Sequence, residues 1–71
     1  MKVVYDPEVD VLSVLLSDEK IAESDEEKPG LVLDYDLSGN VVALEILDAA
    51  KKMANPMSVE YAVKRPLRRP A

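Results

Sequence analysis

The chain is very short for a globular domain, and it lacks the residue types with which small domains usually reinforce a thin core. A domain of 71 residues buries only roughly 60% of the surface that its unfolded chain exposes. Disulfides, a structural metal or oligomerisation commonly supply the missing stability. Cysteine and histidine are both absent, which excludes disulfides and zinc sites of the Cys/His type. We therefore expect one small domain that oligomerises, at least as a homodimer.

The missing histidine also limits the chemistry that the chain can perform. No imidazole is present to act as the base for a serine nucleophile, so triad catalysis of the Ser-His-Asp type is excluded. We find no other catalytic constellation and predict that the protein is not an enzyme, with no catalytic residue and no cofactor. The sequence has no apolar run of about 18 residues and no basic-then-apolar start. We therefore expect a cytoplasmic protein without a membrane partner.

Charge is distributed unevenly along the chain. Residues 1–50 contain three lysines and 13 acidic residues, giving −10, whereas residues 51–71 contain six basic residues and one acidic residue, giving +5, and the net charge is −5. An acidic body with a basic tail can attract a second copy head to tail or hold an acidic partner at its tail. The alternative interpretation is two differently solvated surfaces.

Two hairpins are predicted from short apolar runs separated by turn residues. The four predicted strands are Lys2 to Tyr5, Asp10 to Ser17, Leu31 to Tyr35 and Asn40 to Leu47. Asp6-Pro7-Glu8 has the composition of a turn, and Gly39 can adopt the positive φ that the turn from Asp36 requires. Both faces of the second strand are largely apolar, so we expect each face of the sheet to be covered. The charged residues 18–28 indicate a mobile loop or a short edge segment.

A helix and a further strand are predicted after the fourth strand. Asp48 is a favourable N-cap for a helix from Ala49 to Ala54, Asn55 can end it, and we expect Ala49, Ala50 and Met53 to lie against the sheet. Met57 to Lys64 alternates between apolar and polar residues, which predicts a fifth strand within the sheet or paired with another copy. The predicted fold class is α+β: a four-stranded antiparallel β-meander, then one short helix and a C-terminal fifth strand.

The end of the chain is the predicted contact surface for a partner. We expect a single β-rich domain over residues 1–64, and a basic Pro/Arg tail over residues 65–71 that is disordered alone. The predicted partner-binding residues are apolar on the strand and basic in the tail: Val59, Tyr61, Val63, Arg65, Arg68 and Arg69. The function predicted from these features is a non-catalytic protein-interaction module that self-associates.

Several short motifs follow one another in a fixed order. These are Tyr5-Asp6, Asp10-Val11-Leu12, Leu33-Asp34-Tyr35-Asp36, Gly39-Asn40-Val41-Val42 and Glu45-Ile46-Leu47-Asp48-Ala49. Over about residues 2–54 the chain resembles a family of small prokaryotic proteins catalogued as domain of unknown function 2283, which often has glycine where Ala43 stands. The resemblance implies a β-meander followed by a helix and no assigned activity. Relatives are sometimes encoded beside small ribonuclease-toxin-like proteins, which implies an antitoxin-like role and a small toxin-like partner.

Acidic residues at short spacings raise a second hypothesis, a small Asp-based protein or enzyme that binds a divalent metal. Its candidate ligands are Asp6, Asp10, Asp34 and Asp36. The spacing from Asp34 to Glu45 fits an EF-hand loop, but both flanks are predicted strands, and in our hairpin Asp34 lies opposite Val41, about 13 Å from Glu45. We instead expect these side chains to accept backbone hydrogen bonds in turns, and we predict no metal site.

Nucleic-acid binding is the remaining class suggested by the basic residues near the end of the chain, which are Lys51, Lys52, Lys64, Arg65, Arg68 and Arg69. The charge of the body opposes it. The chain has only three aromatic residues, and Tyr5, Tyr35 and Tyr61 all fall in predicted strands, where they are expected to pack in a core or an interface rather than stack on bases. We therefore predict no nucleic-acid partner.

Overall fold

The computed structural model describes residues 1–65, which form five strands and one short helix. The elements are β1 (Lys2–Asp6), β2 (Val11–Leu15), β3 (Glu23–Lys28), β4 (Leu31–Tyr35), β5 (Val41–Leu47) and α1 (Ala49–Lys52). All neighbouring strands pair antiparallel in one sheet. The α+β class and both predicted hairpins are confirmed, since β1 pairs with β2 and β4 pairs with β5.

The predicted meander order is wrong. The strands lie in the order β1-β2-β5-β4-β3. The strand β2 therefore pairs with β5, the last strand along the chain, and not with the strand that follows it in sequence. Residues 16–22 connect β2 to β3 across the sheet. A backbone hydrogen bond fixes each end of this connection: the Leu16 N–H donates to the Val42 carbonyl (2.8 Å), and the Ala22 N–H donates to the Tyr35 carbonyl (2.7 Å). This order places the apolar strands β2, β5 and β4 inside the sheet and the charged β3 at its edge.

The strand β3 lies within residues 18–28, for which the sequence predicted either a mobile loop or a short edge segment. Its sequence, ESDEEK, has residues that are depleted in strands, and all six are exposed. Pairing with β4 forms it, with Asp25 opposite Leu33 and a register shift between Glu26 and Lys28. Charged side chains and an irregular register are common in edge strands, where they discourage unwanted pairing. Of the two alternatives for residues 18–28, the short edge segment is therefore correct for Glu23–Lys28.

The predicted fifth strand from Met57 to Lys64 is wrong for the single chain. Residues 58–65 have no regular secondary structure, and Met57, Val59, Tyr61 and Val63 are 77%, 59%, 74% and 78% exposed. Alternation shows which residues suit a half-buried strand, but it does not supply the neighbouring strand. The fifth position in this sheet belongs to β3, and within the described chain these residues pair with neither edge.

The helix is one turn long and does not form a layer over the sheet. It ends at Lys52, before the predicted end at Ala54, and Asp48 makes no side-chain cap although it precedes the helix. Asp10 caps it instead: its carbonyl accepts from the Ala49 N–H (3.0 Å) and its Oδ1 accepts from the Ala50 N–H (3.0 Å). Ala49 is fully buried as predicted, whereas Ala50 is exposed. The helix therefore closes one end of the sheet.

The core is as thin as the chain length suggests. The buried apolar residues are Leu12, Val42, Ala43 and Ala49, and no large side chain of residues 1–65 is fully buried. The main contacts between elements in this part of the chain are those between neighbouring strands. A single layer of sheet therefore carries apolar side chains that a second layer would normally cover.

Candidate interaction surfaces

One face of the sheet is apolar across four strands. The pairings place Leu33, Leu44, Val14 and Val3 in one row and Leu31, Ile46, Leu12 and Tyr5 in the next. These eight residues, which we call the apolar face, include no charged side chain. Only Leu12 among them is buried, and Val3 is 38% exposed. The rows continue into β3 with Asp25 and Lys28, so charge begins only at that edge.

The opposite face, which we call the polar face, has polar residues at its centre. Its two rows are Glu26, Val32, Glu45, Ser13 and Val4, and then Ser24, Asp34, Ala43, Leu15 and Lys2. The expectation that both faces of the second strand are covered is not met within the single chain, in which Leu15 on this face is 39% exposed. Val11 and Leu15 lie on a face whose neighbours include Glu45 and Asp34, so this face tolerates water as a solvated antiparallel sheet does.

The C-terminal segment, residues 56–65, leaves the helix beside the β1 half of the apolar face. Together the two form a shallow groove of about 380 Å³ lined by Val3, Tyr5, Pro7, Leu12, Pro56, Met57 and Val59. Leu12 is 8% exposed there, while Met57 and Val59 remain largely exposed on their other sides. Leu31, Leu33, Leu44 and Ile46, in the β4 and β5 half of the apolar face, are not among the residues that line this groove.

The predicted partner-binding residues lie where a partner can reach them, as far as the structure describes them. Val59, Tyr61, Val63 and Arg65 are exposed, although they are not held on a strand. Arg68 and Arg69 lie outside the described residues, as does the rest of the basic tail from residue 66. The apolar face of the sheet is a second accessible surface, which sequence patterns indicated only as separate strands.

Asp10 joins the first hairpin to the helix, a role that no local pattern predicts. Its Oδ1 accepts from the Tyr5 hydroxyl (2.7 Å) as well as from Ala50. Its backbone has φ 56°, a left-handed conformation that Asp tolerates better than most residues. The hydrogen bond to Asp10 raises the pKa of the Tyr5 hydroxyl, and partial burial and the charges of Asp10 and Asp6 act in the same direction. Asp10 is therefore fully engaged within the fold.

Asp6 and Asp34 also have partners within the chain. The Asp6 carboxylate accepts from the Glu8 N–H (2.9 Å), as the turn interpretation predicted. Asp34 is 4% exposed and accepts from the Ser24 hydroxyl (2.6 Å), which ties β4 to the edge strand β3. On the opposite face of the same strand pair, the Tyr35 hydroxyl donates to Glu27 (2.8 Å), and this bond raises the Tyr35 pKa.

Asp36 organises the turn between β4 and β5. Its Oδ1 accepts from the backbone N–H groups of Ser38 and Asn40 (both 2.9 Å), and its Oδ2 accepts from the Asn40 side chain (3.2 Å). The hydrogen bonds from Asn40, with smaller contributions from Ser38 and Gly39, lower the Asp36 pKa. Gly39 has φ 83°, as predicted for this turn, because glycine adopts positive φ without a steric penalty.

The four candidate metal ligands are engaged separately. Residues 1–65 contain no group of three or more acidic side chains placed to hold an ion. The predicted position of Asp34 opposite Val41 was wrong. Asp34 lies opposite Ala43, because Tyr35 pairs with Val41 rather than Asn40 and the register shifts by one more residue between Asp34 and Tyr35. Glu45 is thus two residues from the partner of Asp34, about 7 Å along β5 rather than 13 Å. The spacing that resembles an EF-hand spans an antiparallel hairpin.

Lys52, one of the two basic residues of the helix, also makes a contact within the fold. The Lys52 ammonium donates to the Leu47 carbonyl (2.6 Å), and it occupies the space beside Gly30, which has φ 81°. This lysine therefore closes the helix end against the β3–β4 turn.

None of the helical segments in residues 1–65 has the length and apolar composition needed to cross a bilayer.

Comparison with known proteins identifies the family but no activity. The family described as "Protein of unknown function (DUF2283)" matches residues 2–49. The comparisons with curated proteins and with solved structures find no match. Within the matched region, the motif residues Tyr5, Asp6, Asp10, Asp34, Asp36, Gly39 and Ala49 all hold turns, strands or the helix together. The motifs thus describe a fold, and the chain belongs to this family of unknown function.

Proposed function

We propose that the protein is a non-catalytic interaction module that self-associates through the apolar face of its sheet and contacts a partner through its C-terminal segment. The observation that carries this proposal is the apolar face itself, eight residues on four strands of which only Leu12 is buried. Burying apolar surface contributes about 25 cal/mol per Å², so a second copy that covers this face supplies the stability that the single layer lacks.

The size of the face limits how the copies meet. The apolar face spans four strands, and four strands about 4.8 Å apart and about five residues long have a footprint of about 330 Å². Each partner in a stable interface contributes about 800 Å². Contact between the two sheets alone therefore falls short, and the exposed apolar residues of the C-terminal segment are the natural source of the remaining area.

Contact with a different protein is the second part of the proposal. Val59, Tyr61 and Val63 offer apolar side chains and Arg65, Arg68 and Arg69 offer positive charge, a combination that suits an acidic partner surface. An antitoxin-like role, with a small toxin-like protein as the partner, is one specific form, and its support is the family resemblance alone.

A matched pair of substitutions tests self-association through the apolar face. Val3 in β1 and Leu15 in β2 have exposures of 38% and 39%, but they lie on opposite faces of the sheet. Val3→Glu places a charge on the apolar face and is expected to weaken the dimer at least about tenfold, because a carboxylate would be buried without a partner. Leu15→Glu places the same charge on the polar face and is expected to leave the dimer nearly unchanged.

Sedimentation equilibrium measures both dissociation constants, and circular dichroism checks that both variants fold. Equal weakening by the two variants would contradict docking through the apolar face. For the partner, deletion of residues 56–71 is expected to abolish capture of proteins from a native lysate that the full chain captures. Recovery of the same proteins by the truncated chain would remove the C-terminal segment from the proposal.

A further inference from the structure

The sheet has two open edges of very different character. The strand β1 lies at one edge and β3 at the other. In β3 four of the six residues are acidic and none is apolar, whereas β1 has the sequence KVVYD, with a central apolar stretch between a lysine and an aspartate. An edge strand presents unpaired backbone groups to which another extended segment can add. The β1 edge is the one whose side chains suit an apolar addition.

The C-terminal segment contains a complementary sequence of the same length. Residues 60–64 read EYAVK, and aligned parallel with β1 they give five matched pairs: Lys2 with Glu60, Val3 with Tyr61, Val4 with Ala62, Tyr5 with Val63 and Asp6 with Lys64. Both terminal pairs join opposite charges and all three central pairs are apolar. Cross-strand pairs of these kinds each contribute about 0.2–1 kcal/mol to a sheet.

The direction of the added strand follows from the same charges. An antiparallel alignment that keeps the central apolar pairs would place Lys2 opposite Lys64 and Asp6 opposite Glu60, two repulsive contacts. The parallel alignment also puts Tyr61 and Val63 beside Val3 and Tyr5, so it extends the apolar face by one strand. Mixed sheets occur in α+β folds, so a parallel strand at one edge is compatible with this sheet.

We infer that residues Glu60–Lys64 of one copy add as a parallel strand to the β1 edge of a second copy. All five residues are exposed and without regular structure in the single chain, and Pro56, Met57 and Val59 already lie along the apolar face beside β1. The inference rests on the proposed self-association and specifies its geometry. In a symmetric dimer the exchange occurs twice, which adds the area that the sheet footprint lacks.

Mixing two charge variants tests this exchange. In a dimer of Lys2→Glu, the new carboxylate faces Glu60 of the other copy, and in a dimer of Glu60→Lys the new ammonium faces Lys2, so each variant alone repels itself at both exchanged strands. In the mixed dimer both contacts join opposite charges. We expect each variant alone to dimerise about tenfold more weakly than the natural chain, since two exposed contacts change sign.

Native mass spectrometry of an equimolar mixture, with one variant labelled with ¹⁵N, measures the mixed dimer. The expected mixed fraction is above about nine-tenths, against about half for random pairing, as follows from the tenfold weakening of both self-pairs. Lys20→Glu in place of Lys2→Glu is the matched control, because Lys20 is exposed but lies outside β1, and it should give random pairing with Glu60→Lys.

The outcomes separate this inference from the proposed function. A natural chain that dimerises, combined with random pairing of Lys2→Glu and Glu60→Lys, would overturn the strand exchange and leave self-association standing. The same mixed excess with the Lys20→Glu control would also overturn it, because general charge attraction would then account for the result. A natural chain that stays monomeric would overturn both.

Discussion

The two faces of this sheet are built from the same strands, yet one has polar residues at its centre and the other is apolar across four strands. On the polar face Asp34 is buried and accepts a hydrogen bond from Ser24, and Ser13 and Glu45 lie in the row beside them. On the apolar face Leu12 alone is buried, where the C-terminal segment lies over it. Polar groups find partners within their own layer, whereas an apolar face needs a second layer.

Adjacent residues of β5 provide the strongest test of this difference, because Leu44 lies at the centre of the apolar face and Glu45 on the polar face. Leu44→Glu is expected to weaken the dimer by about 100-fold, as for a central interface residue. Glu45→Gln should change the dissociation constant less than about twofold, as for a peripheral charge. Sedimentation equilibrium measures both, and a large effect of Glu45→Gln would reverse the assignment of the faces.

Asp34 tests whether the polar face is self-sufficient. Asp34→Ala removes the acceptor of the Ser24 hydroxyl and is expected to lower the free energy of unfolding by about 1–3 kcal/mol. The dimer dissociation constant should stay the same, because the polar face lies away from the proposed interface. Urea unfolding at a fixed protein concentration gives the first quantity and sedimentation the second. Ser24→Ala is the matched variant and should cost at least as much, since it leaves the buried Asp34 carboxylate without its donor.

The β4–β5 turn lies outside both faces, so its titration should affect folding alone. The folded protein lowers the Asp36 pKa below its ordinary value of 3.8, which means that the folded state binds this proton less readily than the unfolded state. The stabilisation is present above pH 3.8 and is lost as the pH falls through the folded-state pKa. Asp36→Asn should remove this part of the acid dependence in pH-dependent urea unfolding. An unchanged acid profile would contradict the role of the turn.

Added divalent metal should have the smallest effect. Asp6, Asp10, Asp34 and Asp36 each accept hydrogen bonds within the chain and are not gathered in one place. We therefore expect millimolar calcium or magnesium to leave the melting temperature unchanged, because only a ligand that binds the folded state raises stability. Differential scanning fluorimetry with and without a chelator measures it, and a clear rise with calcium or magnesium would revive the metal hypothesis.

Sequence patterns predicted the parts of this fold that depend on neighbouring residues. The β1–β2 and β4–β5 hairpins and the positive φ of Gly39 follow from local turn chemistry. The helix start at Ala49 also follows, although Asp48 does not cap it. Its cap is Asp10, 40 residues away in the chain, and such a contact has no local signal. The same limit applies to the strand order and to β3, which pairing with β4 forms despite its charged sequence.

For the candidate surfaces, as for the fold, the sequence predicted local features but not the contacts between distant strands. Alternation predicts Val59, Tyr61 and Val63 as one side of a strand, but residues 58–65 have no regular secondary structure, and the described chain offers them no neighbouring strand. Alternation along β2 places Leu12 and Val14 on one face, and alternation along β5 does the same for Leu44 and Ile46. Only the register joined these pairs into one apolar face and showed Ser13 beside Glu45 on the other. Faces are collective properties of a sheet, and register sets them.

Self-association of the natural chain is the most direct test of this account. Sedimentation velocity of the full chain at tens of micromolar is expected to give a species of twice the 7.8 kDa mass of one chain, because one copy leaves most of its apolar face only half-buried. A single monomeric species at that concentration, with the methyl groups of Leu33 and Leu44 shielded from solvent by their own chain, would contradict it.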